Sequence, residues 1–418
     1  MTIPISQIRE LLEADGVQPT MADAPGELAM ALLEKAPPIR DKQGNILQNG
    51  KPKGHLPNVQ IVFEHDPLWA ARFAWCELRQ RVLLDGRPVE DSDEAEVVRQ
   101  LARIYSLTTT TPTVHEAIGW AAARRRSHPV REWLERLEWD GRERLGDWLI
   151  RYCRAQDTRL VRAIGRAWII QAVARAIKPG CKADLVLILQ GLQGCRKSTT
   201  CKVLGGEWFR DSDIDLGSKD RYSSLEGAWI YELGELDAMR KADARALKAF
   251  VSSQTDSYRP AYGRNTRDVP RNTVFVGTTN DHEFLVDATG SRRFGAVAVG
   301  QCDPEALAED RDQLFAEALV AYHAGEPWYL DDAAENDRAE QAEHWAPVDS
   351  WESSIAVYIS TRSAGVTLGD VWKGALDNER INASRADDMR MGQILRKLGC
   401  VKVREAREGR REVLWRRE

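Results

Sequence analysis

The feature that most restricts the possible folds of this chain lies near its middle, where an apolar run leads directly into a glycine-containing loop. Residues 185–189 (Leu-Val-Leu-Ile-Leu) form a continuous apolar run, as is typical of fully buried parallel strands. The loop 191–198 (Gly-Leu-Gln-Gly-Cys-Arg-Lys-Ser) follows, and an apolar helical pattern with Val203 and Leu204 comes next. This order predicts an α/β unit with an anion-binding loop at a helix N-terminus.

The loop has the residue types that hold a nucleoside triphosphate. In such loops, backbone amides face the phosphates, a lysine bridges the outer phosphates and a hydroxyl holds Mg²⁺. Lys197 and Ser198 fit these two roles, and Arg196 stands where glycine is usual, so a side chain lies where the backbone normally approaches phosphate. The predicted nucleotide-binding residues are Gly191, Gly194, Arg196, Lys197, Ser198 and Thr199. The alternative is an ordinary strand, turn and helix with incidental glycines.

Two further apolar runs, 228–231 and 273–277, alternate with helical patterns and predict an α/β sheet. The first ends in acidic residues, and we expect this strand beside the phosphate-loop strand, with Glu232 on the metal and Glu235 positioning the attacking water. These two roles could be exchanged, Asp237 could be involved, or the acids could mark a solvated strand end. The second run ends at Asn280, whose amide can both donate to a γ-phosphate and accept from water, as a polar sensor does.

The segment between these strands mixes basic residues with tyrosines around a glycine and asparagine turn. That pattern suits a hairpin that holds a phosphate backbone and stacks bases, although it also fits a solvated surface hairpin. The predicted DNA-binding residues are Lys248, Arg259, Tyr262, Arg264, Arg267 and Arg271.

Two arginines, Arg292 and Arg293, follow the sensor strand. An arginine at this position can reach the γ-phosphate bound by a neighbouring subunit, as an arginine finger does. That role requires a head-to-tail ring. The alternative is a salt bridge within one subunit.

The rest of the chain divides by pattern into further segments. Residues 37–57 read as a loop, 66–178 as helical without a clear strand, 303–323 as helical, and 325–340 as a loop with an acidic stretch. From Trp351, three amphipathic helical patterns precede a hairpin pattern around Gly409, with basic residues on the third helix and the hairpin. These patterns predict a winged-helix domain that contacts DNA phosphates, or one that docks proteins or stabilises a ring.

Composition excludes some classes of protein. With 43% hydrophobic and 29% charged residues, the 418-residue chain is typical of soluble globular proteins, and its length favours several domains. We find neither an apolar run long enough to span a membrane nor a signal-peptide pattern, so we expect a cytoplasmic protein with no membrane partner. The seven scattered cysteines suggest reduced thiols, without zinc or disulfides. The net charge of −5 leaves DNA binding to local patches.

Taken together, the motifs resemble those of the virulence-associated protein E family of bacteriophages and mobile elements, which is similar to superfamily 3 DNA helicases. The resemblance covers roughly residues 58–299. It rests on His128-Pro-Val with Trp139-Asp-Gly, Arg175 with Pro179-Gly, the loop 189–199, Glu232-Leu-Gly-Glu, Leu247-Lys-Ala-Phe, 256–264, Pro270-Arg, Gly277-Thr-Thr-Asn and Thr289-Gly-Ser-Arg-Arg-Phe.

This resemblance implies an AAA+ P-loop core of three-layer α/β/α architecture that uses ATP and Mg²⁺. The implied nucleotide-site residues are Lys197, Ser198, Glu232, Asn280 and an arginine at 292 or 293, with Ser198 and Glu232 on the metal. The expected organisation is an N-terminal segment (1–60), an α-helical domain (61–180), the ATPase core (181–345) and a winged-helix-like domain (346–418).

The expected function is ATP-dependent helicase or translocase activity on single-stranded or forked DNA by a homo-oligomeric, hexameric ring in phage or mobile-element replication. An alternative is a DNA-binding replication initiator or loader in which nucleotide organises assembly with little turnover, as Arg196 would favour. A small-molecule kinase is a weaker alternative because nothing in the sequence resembles an acceptor pocket.

Overall fold

The structure is a computed structural model of the chain, and it describes residues 27–212, 214–234, 241–259, 265–280, 293–344, 350–362, 365–376, 384–407 and 410–417. The chain forms two compact units. The larger unit holds the described residues up to Arg338, apart from the first turn of one helix at 241–244, and the smaller unit holds those from Ala339 onward.

The larger unit begins with a region of helices and short strands. Its elements are α1 (Glu27–Leu32), β1 (Ile39–Arg40), β2 (Ile46–Gln48), α2 (Leu56–His65), β3 (Phe73–Cys76), β4 (Arg81–Leu84), β5 (Arg87–Pro88), α3 (Asp91–Tyr105), α4 (Thr111–Arg124) and β6 (Arg126–Ser127). β1 and β2 form a hairpin, whereas the other four strands form a small sheet in the order β5-β4-β3-β6. Helices α2, α3 and α4 share one hydrophobic core with this sheet, centred on Val59, Leu101 and Ile118.

This small sheet corrects the prediction of a wholly helical segment from Asp66 to Lys178. Phe73 and Trp75 belong to β3, which pairs antiparallel with β4 and parallel with β6. A strand of four residues is too short for its period of two to be told from a helical period. The segment 37–57, predicted as a loop, likewise contains the short strands β1 and β2.

The remainder of the larger unit is built around a five-stranded parallel sheet. Its elements are α5 (Pro129–Leu134), α6 (Trp148–Cys153), α7 (Arg159–Ile177), β7 (Val186–Gln190), α8 (Lys197–Gly205), β8 (Phe209–Arg210), β9 (Ile230–Leu233), α9 (Lys241–Val251), β10 (Thr255–Tyr258), β11 (Arg267–Pro270), β12 (Val274–Thr279), β13 (Phe294–Ala298), α10 (Pro304–His323) and α11 (Asp332–His344). The parallel strands lie in the order β13-β7-β12-β9-β8, and β10 with β11 forms an antiparallel hairpin. The predicted α/β class and the strands β7, β9 and β12 are confirmed.

Helix α7 anchors this sheet because its residues are buried on nearly all sides, as expected for an apolar helix inside a protein. The Trp168 indole N–H donates to the backbone carbonyl of Phe275 in β12 at 2.8 Å. The Gln171 side chain donates to the Leu185 carbonyl at 2.8 Å and accepts from the Leu185 amide at 3.0 Å. These bonds fix the start of β7 and therefore the position of the loop that follows it.

The acidic stretch after Gly325 is helical in the structure, which corrects its prediction as a loop. Asp331 caps α11 by accepting a hydrogen bond from the Ala334 amide at 2.7 Å. The acidic composition concealed this helix because few apolar residues mark a buried face. Among the described residues, no helix combines the length and apolarity needed to cross a bilayer.

The smaller unit has the helices and hairpin that the sequence predicts. It contains α12 (Glu352–Ser360), α13 (Leu368–Ala375), α14 (Arg385–Lys397), β14 (Cys400–Arg407) and β15 (Arg410–Arg417), and the two strands pair antiparallel. Its core includes Ile355, Trp372, Met391 and Trp415. Gly409, at the predicted turn, lies outside the described residues.

Candidate nucleotide-binding site

The loop between β7 and α8 has a backbone conformation that depends on its residue types. A Cβ at Gly191 would lie 2.7 Å from the backbone oxygen of Val299, so this position needs glycine for close approach. Gly194 and Arg196 have positive φ angles of 83° and 69°. Arg196 therefore takes the left-handed conformation directly before α8, which leaves the helix N-terminus open to the loop.

Lys197 joins this loop to the end of β12. Its Nζ donates to the carbonyls of Gly191 and Leu192 at 2.8 and 3.0 Å, and to Oδ1 of Asn280 at 2.9 Å. The side chain is 7% exposed, so its charge is held among polar groups at the mouth of the loop. The predicted phosphate lysine and the predicted sensor amide are therefore in direct contact.

A second contact joins the first turn of α8 to the acidic strand. Oε1 of Glu232 accepts from the hydroxyl of Ser198 at 2.6 Å and from the hydroxyl of Thr278 at 2.6 Å. The sequence prediction did not include Thr278, although it lies two residues before Asn280, near the end of β12.

The environment of Glu232 fits a divalent cation. The residue is 4% exposed, and its Oε2 atom is buried without a hydrogen-bond partner among the described residues. A buried carboxylate oxygen without a partner is costly, and a cation with its water shell would satisfy it. Mg²⁺ is usually held by one or two carboxylates together with substrate phosphates and water, so Ser198 and Glu232 suit it. The described residues contain no cluster of three or more acidic, histidine or cysteine ligands.

The strand order places the sensor strand between the other two. β12 pairs with β7 on one side and with β9 on the other, so the acidic strand does not lie beside the phosphate-loop strand as predicted. In a parallel sheet, the segments that follow the strands all start from the same edge. Lys197, Glu232 and Asn280 therefore come together at that edge, although β7 and β9 are not neighbours.

The Arg196 side chain turns to α10 and forms a two-pronged ion pair with Glu305. This contact raises the pKa of Arg196 and lowers the pKa of Glu305, because each charge stabilises the other. Thr199, the remaining predicted nucleotide residue, is exposed on the first turn of α8.

Three cysteines lie behind the loop, a feature that the sequence did not reveal. The Cys302 amide donates to the carbonyl of Cys195 at 3.1 Å. The neighbouring Cys153 and the positive charges of Lys197 and Arg196 lower the pKa of the Cys302 thiol. All seven cysteines are buried free thiols in the structure.

The predicted DNA-binding residues fall into two groups on and beside the hairpin of β10 and β11. Arg259 and Arg267 are exposed, and Lys248 is half-buried on α9. Arg271 is fully buried, and its guanidinium pairs with Asp256 and donates to the carbonyl of Phe250. Because a side chain held in this way has no surface to offer a nucleic acid, Arg271 is a structural cation here.

Arg293 lies directly before β13 and contacts its own subunit. Its Nε donates to the Ser252 hydroxyl and lies 4.0 Å from a carboxylate oxygen of Asp184. This contact within one subunit is the alternative to an arginine finger that the sequence analysis gave. The predicted residues Glu235, Tyr262, Arg264 and Arg292, with the alternative Asp237, lie outside the described residues.

Comparison with known proteins gives the family. The model of the virulence-associated protein E-like domain matches residues 134–346, which are 213 of the 418 residues. The chain belongs to the virulence-associated protein E-like family. The matched range includes Lys197, Glu232 and Asn280, so the resemblance to this family that the sequence predicts is confirmed from residue 134 to residue 299.

Structural comparison adds distant likenesses to this virulence-associated protein E-like chain. An apo structure of the NrS-1 C-terminal region has a TM-score of 0.42 and 10% identity, covering 82% of this chain and 95% of that one. Its A-form apo structure has a TM-score of 0.39 and 11% identity, covering 68% and 78%. TM-scores of this size do not establish a shared fold. No curated protein matches the sequence.

Proposed function

We propose that this protein is an ATP-driven DNA helicase or translocase with a P-loop core of the AAA+ type, similar to superfamily 3 helicases. In this proposal a homohexameric ring hydrolyses ATP between subunits and moves single-stranded DNA during replication of a phage or mobile element. One observation carries the proposal: Lys197 contacts Asn280 while Ser198 contacts Glu232, so four separately predicted residues meet at one edge of the sheet.

In the proposed site, the loop amides and Lys197 hold the phosphates of ATP, and Lys197 exchanges its carbonyl contacts for phosphate oxygens. Ser198 and Glu232 would hold Mg²⁺, which would neutralise charge on the phosphate oxygens when it is bound. Asn280 is placed by Lys197 to orient the outer phosphate, and Glu235 is the candidate for positioning the attacking water.

The proposed DNA contacts lie on the hairpin of β10 and β11. Arg259 and Arg267 are exposed at the ends of its strands nearest the turn, where Tyr262 and Arg264 follow in sequence. Basic and aromatic side chains in one hairpin suit a phosphate backbone with stacked bases. Arg271 is left out of this set because it is buried against Asp256. The hairpin and helices of the smaller unit, proposed as a winged helix, would add phosphate contacts.

A second candidate function is a replication initiator or loader that binds nucleotide with little turnover. The observation that favours it is the contact of Arg293 within its own subunit, which removes one of the two candidate arginine fingers. A strand-displacement assay on a forked duplex separates the two functions. A helicase separates the strands in an ATP-dependent manner, whereas an initiator binds the fork without separating them.

The ATPase part of the proposal is tested with Lys197→Ala. We expect this variant to lose hydrolysis, because Lys197 supplies the charge at the mouth of the loop. Lys202→Ala is the matched control, since Lys202 is exposed on the same helix. Hydrolysis by Lys197→Ala at the wild-type rate would contradict the proposal.

The coupling of ATP hydrolysis to DNA binding is tested with Arg264→Ala combined with Arg267→Ala. This variant should retain basal hydrolysis and lose its stimulation by DNA.

A further inference from the structure

A cavity of about 840 Å³ lies in the larger unit, away from the phosphate loop. Its walls come from the small sheet, from α4, and from strand β11 of the basic hairpin. This volume is within the range of protein pockets that hold small ligands. None of the nucleotide-site residues lines the cavity.

One wall of the cavity combines an indole with two guanidinium groups. The Arg267 guanidinium lies over the Trp75 ring at 5.4 Å from its centre. Arg126 is the register partner of Trp75 across β3 and β6, so both side chains leave the sheet on the same face. More than half of the Arg126 side chain is exposed. Its Nη1 atom lies 3.5 Å from a carboxylate oxygen of Glu77, which is a long contact for an ion pair.

The opposite part of the lining is small and open. Gly119 and Ala123 lie one turn apart on α4, and both are exposed. A Cβ added at Gly119 would meet nothing within 4 Å, so the space above the helix is free. Val82 and Val269 add apolar surface to the lining. The lining holds three arginines, Arg126, Arg131 and Arg267, against two carboxylates, Glu77 and Asp268, so its balance of charge is positive. A flat, partly apolar group with attached negative charge matches these walls.

The geometry points to a binding site for a segment of single-stranded nucleic acid, with a base against Trp75 and its phosphates at Arg126 and Arg267. Indole and guanidinium planes are the groups on which bases stack in proteins that bind single strands without sequence preference. A strand fits better than a free nucleotide because Arg267 begins β11, directly after the hairpin turn that is proposed to hold DNA. A strand bound along the hairpin at Arg267 can therefore continue into the cavity.

This inference rests on the proposed DNA-binding function and extends it to a second contact at the base of the hairpin. Two of its residues, Trp75 and Arg126, belong to the region before residue 134, where the family match begins. The small sheet thus has a role in substrate binding that the nucleotide site alone does not require.

The test measures binding of a fluorescent oligothymidylate to the full chain by anisotropy, at several salt concentrations. We expect Trp75→Ala to weaken binding about tenfold, since stacking on one aromatic ring contributes on that scale. Trp75→Phe should restore most of the affinity. Arg126→Ala should lower the slope of log affinity against log salt by about 0.7, as expected for one lost contact to a single-strand phosphate.

A variant that fills the cavity tests the site without a substitution that could unfold the protein. Gly119→Leu fills the cavity from a helix position where leucine is favoured over glycine, so its thermal midpoint should not fall while its oligonucleotide affinity drops. Ala102→Leu is the matched control, because Ala102 is exposed on the neighbouring helix α3 and does not line the cavity.

Three other outcomes would overturn the inference, and they can be distinguished from one another. Wild-type affinity in both Trp75→Ala and Gly119→Leu would reject the cavity site and leave the proposed function intact. Binding of adenosine monophosphate that is lost in Gly119→Leu, with unchanged oligonucleotide affinity, would identify a free-nucleotide site instead of a strand site. Absence of oligonucleotide binding by the wild type would reject this site and the proposed DNA function together, while the Lys197→Ala comparison would still test ATP hydrolysis separately.

Discussion

The buried pair of Arg271 and Asp256 gives the sharpest test of the structure at the base of the hairpin. The Arg271 guanidinium donates from Nε to both Asp256 oxygens at 3.0 and 3.2 Å, and from Nη2 to one of them. It also donates to the Phe250 carbonyl and lies 4.8 Å from the centre of the Phe250 ring. The Arg271 side chain is 0% exposed and the Asp256 side chain is 7% exposed.

The perturbation is Arg271→Ala, which removes the cation and leaves the Asp256 carboxylate buried without its counter-ion. Breaking a buried ion pair by removing one partner costs about 3–5 kcal/mol. We expect the free energy of unfolding to fall by this amount. Arg271→Met combined with Asp256→Leu should lose much less, because both charges of the pair are removed together and neither is left buried without the other.

The measurement is chemical denaturation followed by circular dichroism, with oligonucleotide binding measured on the same samples. Arg267→Ala is the matched control, because Arg267 is an exposed arginine on the same hairpin. Its removal should change the free energy of unfolding by only about 0.5 kcal/mol. A stable Arg271→Ala variant that binds DNA more weakly would refute the reasoning, because Arg271 would then be a surface contact.

Three further predictions concern the site and its surroundings. Gly191→Ala should weaken ATP binding in calorimetric titration, because the new Cβ would lie 2.7 Å from the Val299 carbonyl oxygen and displace the loop. Thr278→Val should lower kcat for ATP about tenfold, since it removes one of two hydroxyls from the Glu232 carboxylate; an unchanged kcat would exclude this role. Burial and a hydrogen bond to a carboxylate raise the pKa of Tyr152 to about 12. The unfolded chain therefore loses this proton first, so the free energy of unfolding should fall between about pH 10 and 12, and less steeply in Tyr152→Phe.

The parallel sheet could be predicted in part from the sequence. Strands β7, β9 and β12 each begin within an apolar run of the sequence, which is how fully buried strands differ from their surroundings. β13 was missed because Gly295 and two alanines weaken its pattern. The structure explains the glycine, since a Cβ there would lie 2.8 Å from a side-chain carbon of Ile164 on α7. Close packing between distant segments leaves no local signal.

The site residues were predictable where a role requires a particular residue type at the end of a strand. Lys197, Glu232 and Asn280 were found in this way, and the structure brings them together. Arg271 was assigned to DNA because charge alone does not reveal burial. A carboxylate fifteen residues away, at Asp256, supplies its partner, and only the pairing of the start of β10 with the end of β11 brings the two together.

Arg175 on α7 links the two ends of the proposed machinery. Its guanidinium donates to the carbonyls of Ala183, Ser253 and Arg271, which lie before β7, before β10 and after β11. Burial lowers the pKa of this arginine to about 10, so it remains charged at neutral pH. The segment before the phosphate-loop strand and the base of the hairpin are therefore both hydrogen-bonded to one planar guanidinium group. In the proposed ring, a hairpin held in this way would move DNA through movement of a whole protomer, since Arg175 ties the base of the hairpin to the start of the central strand.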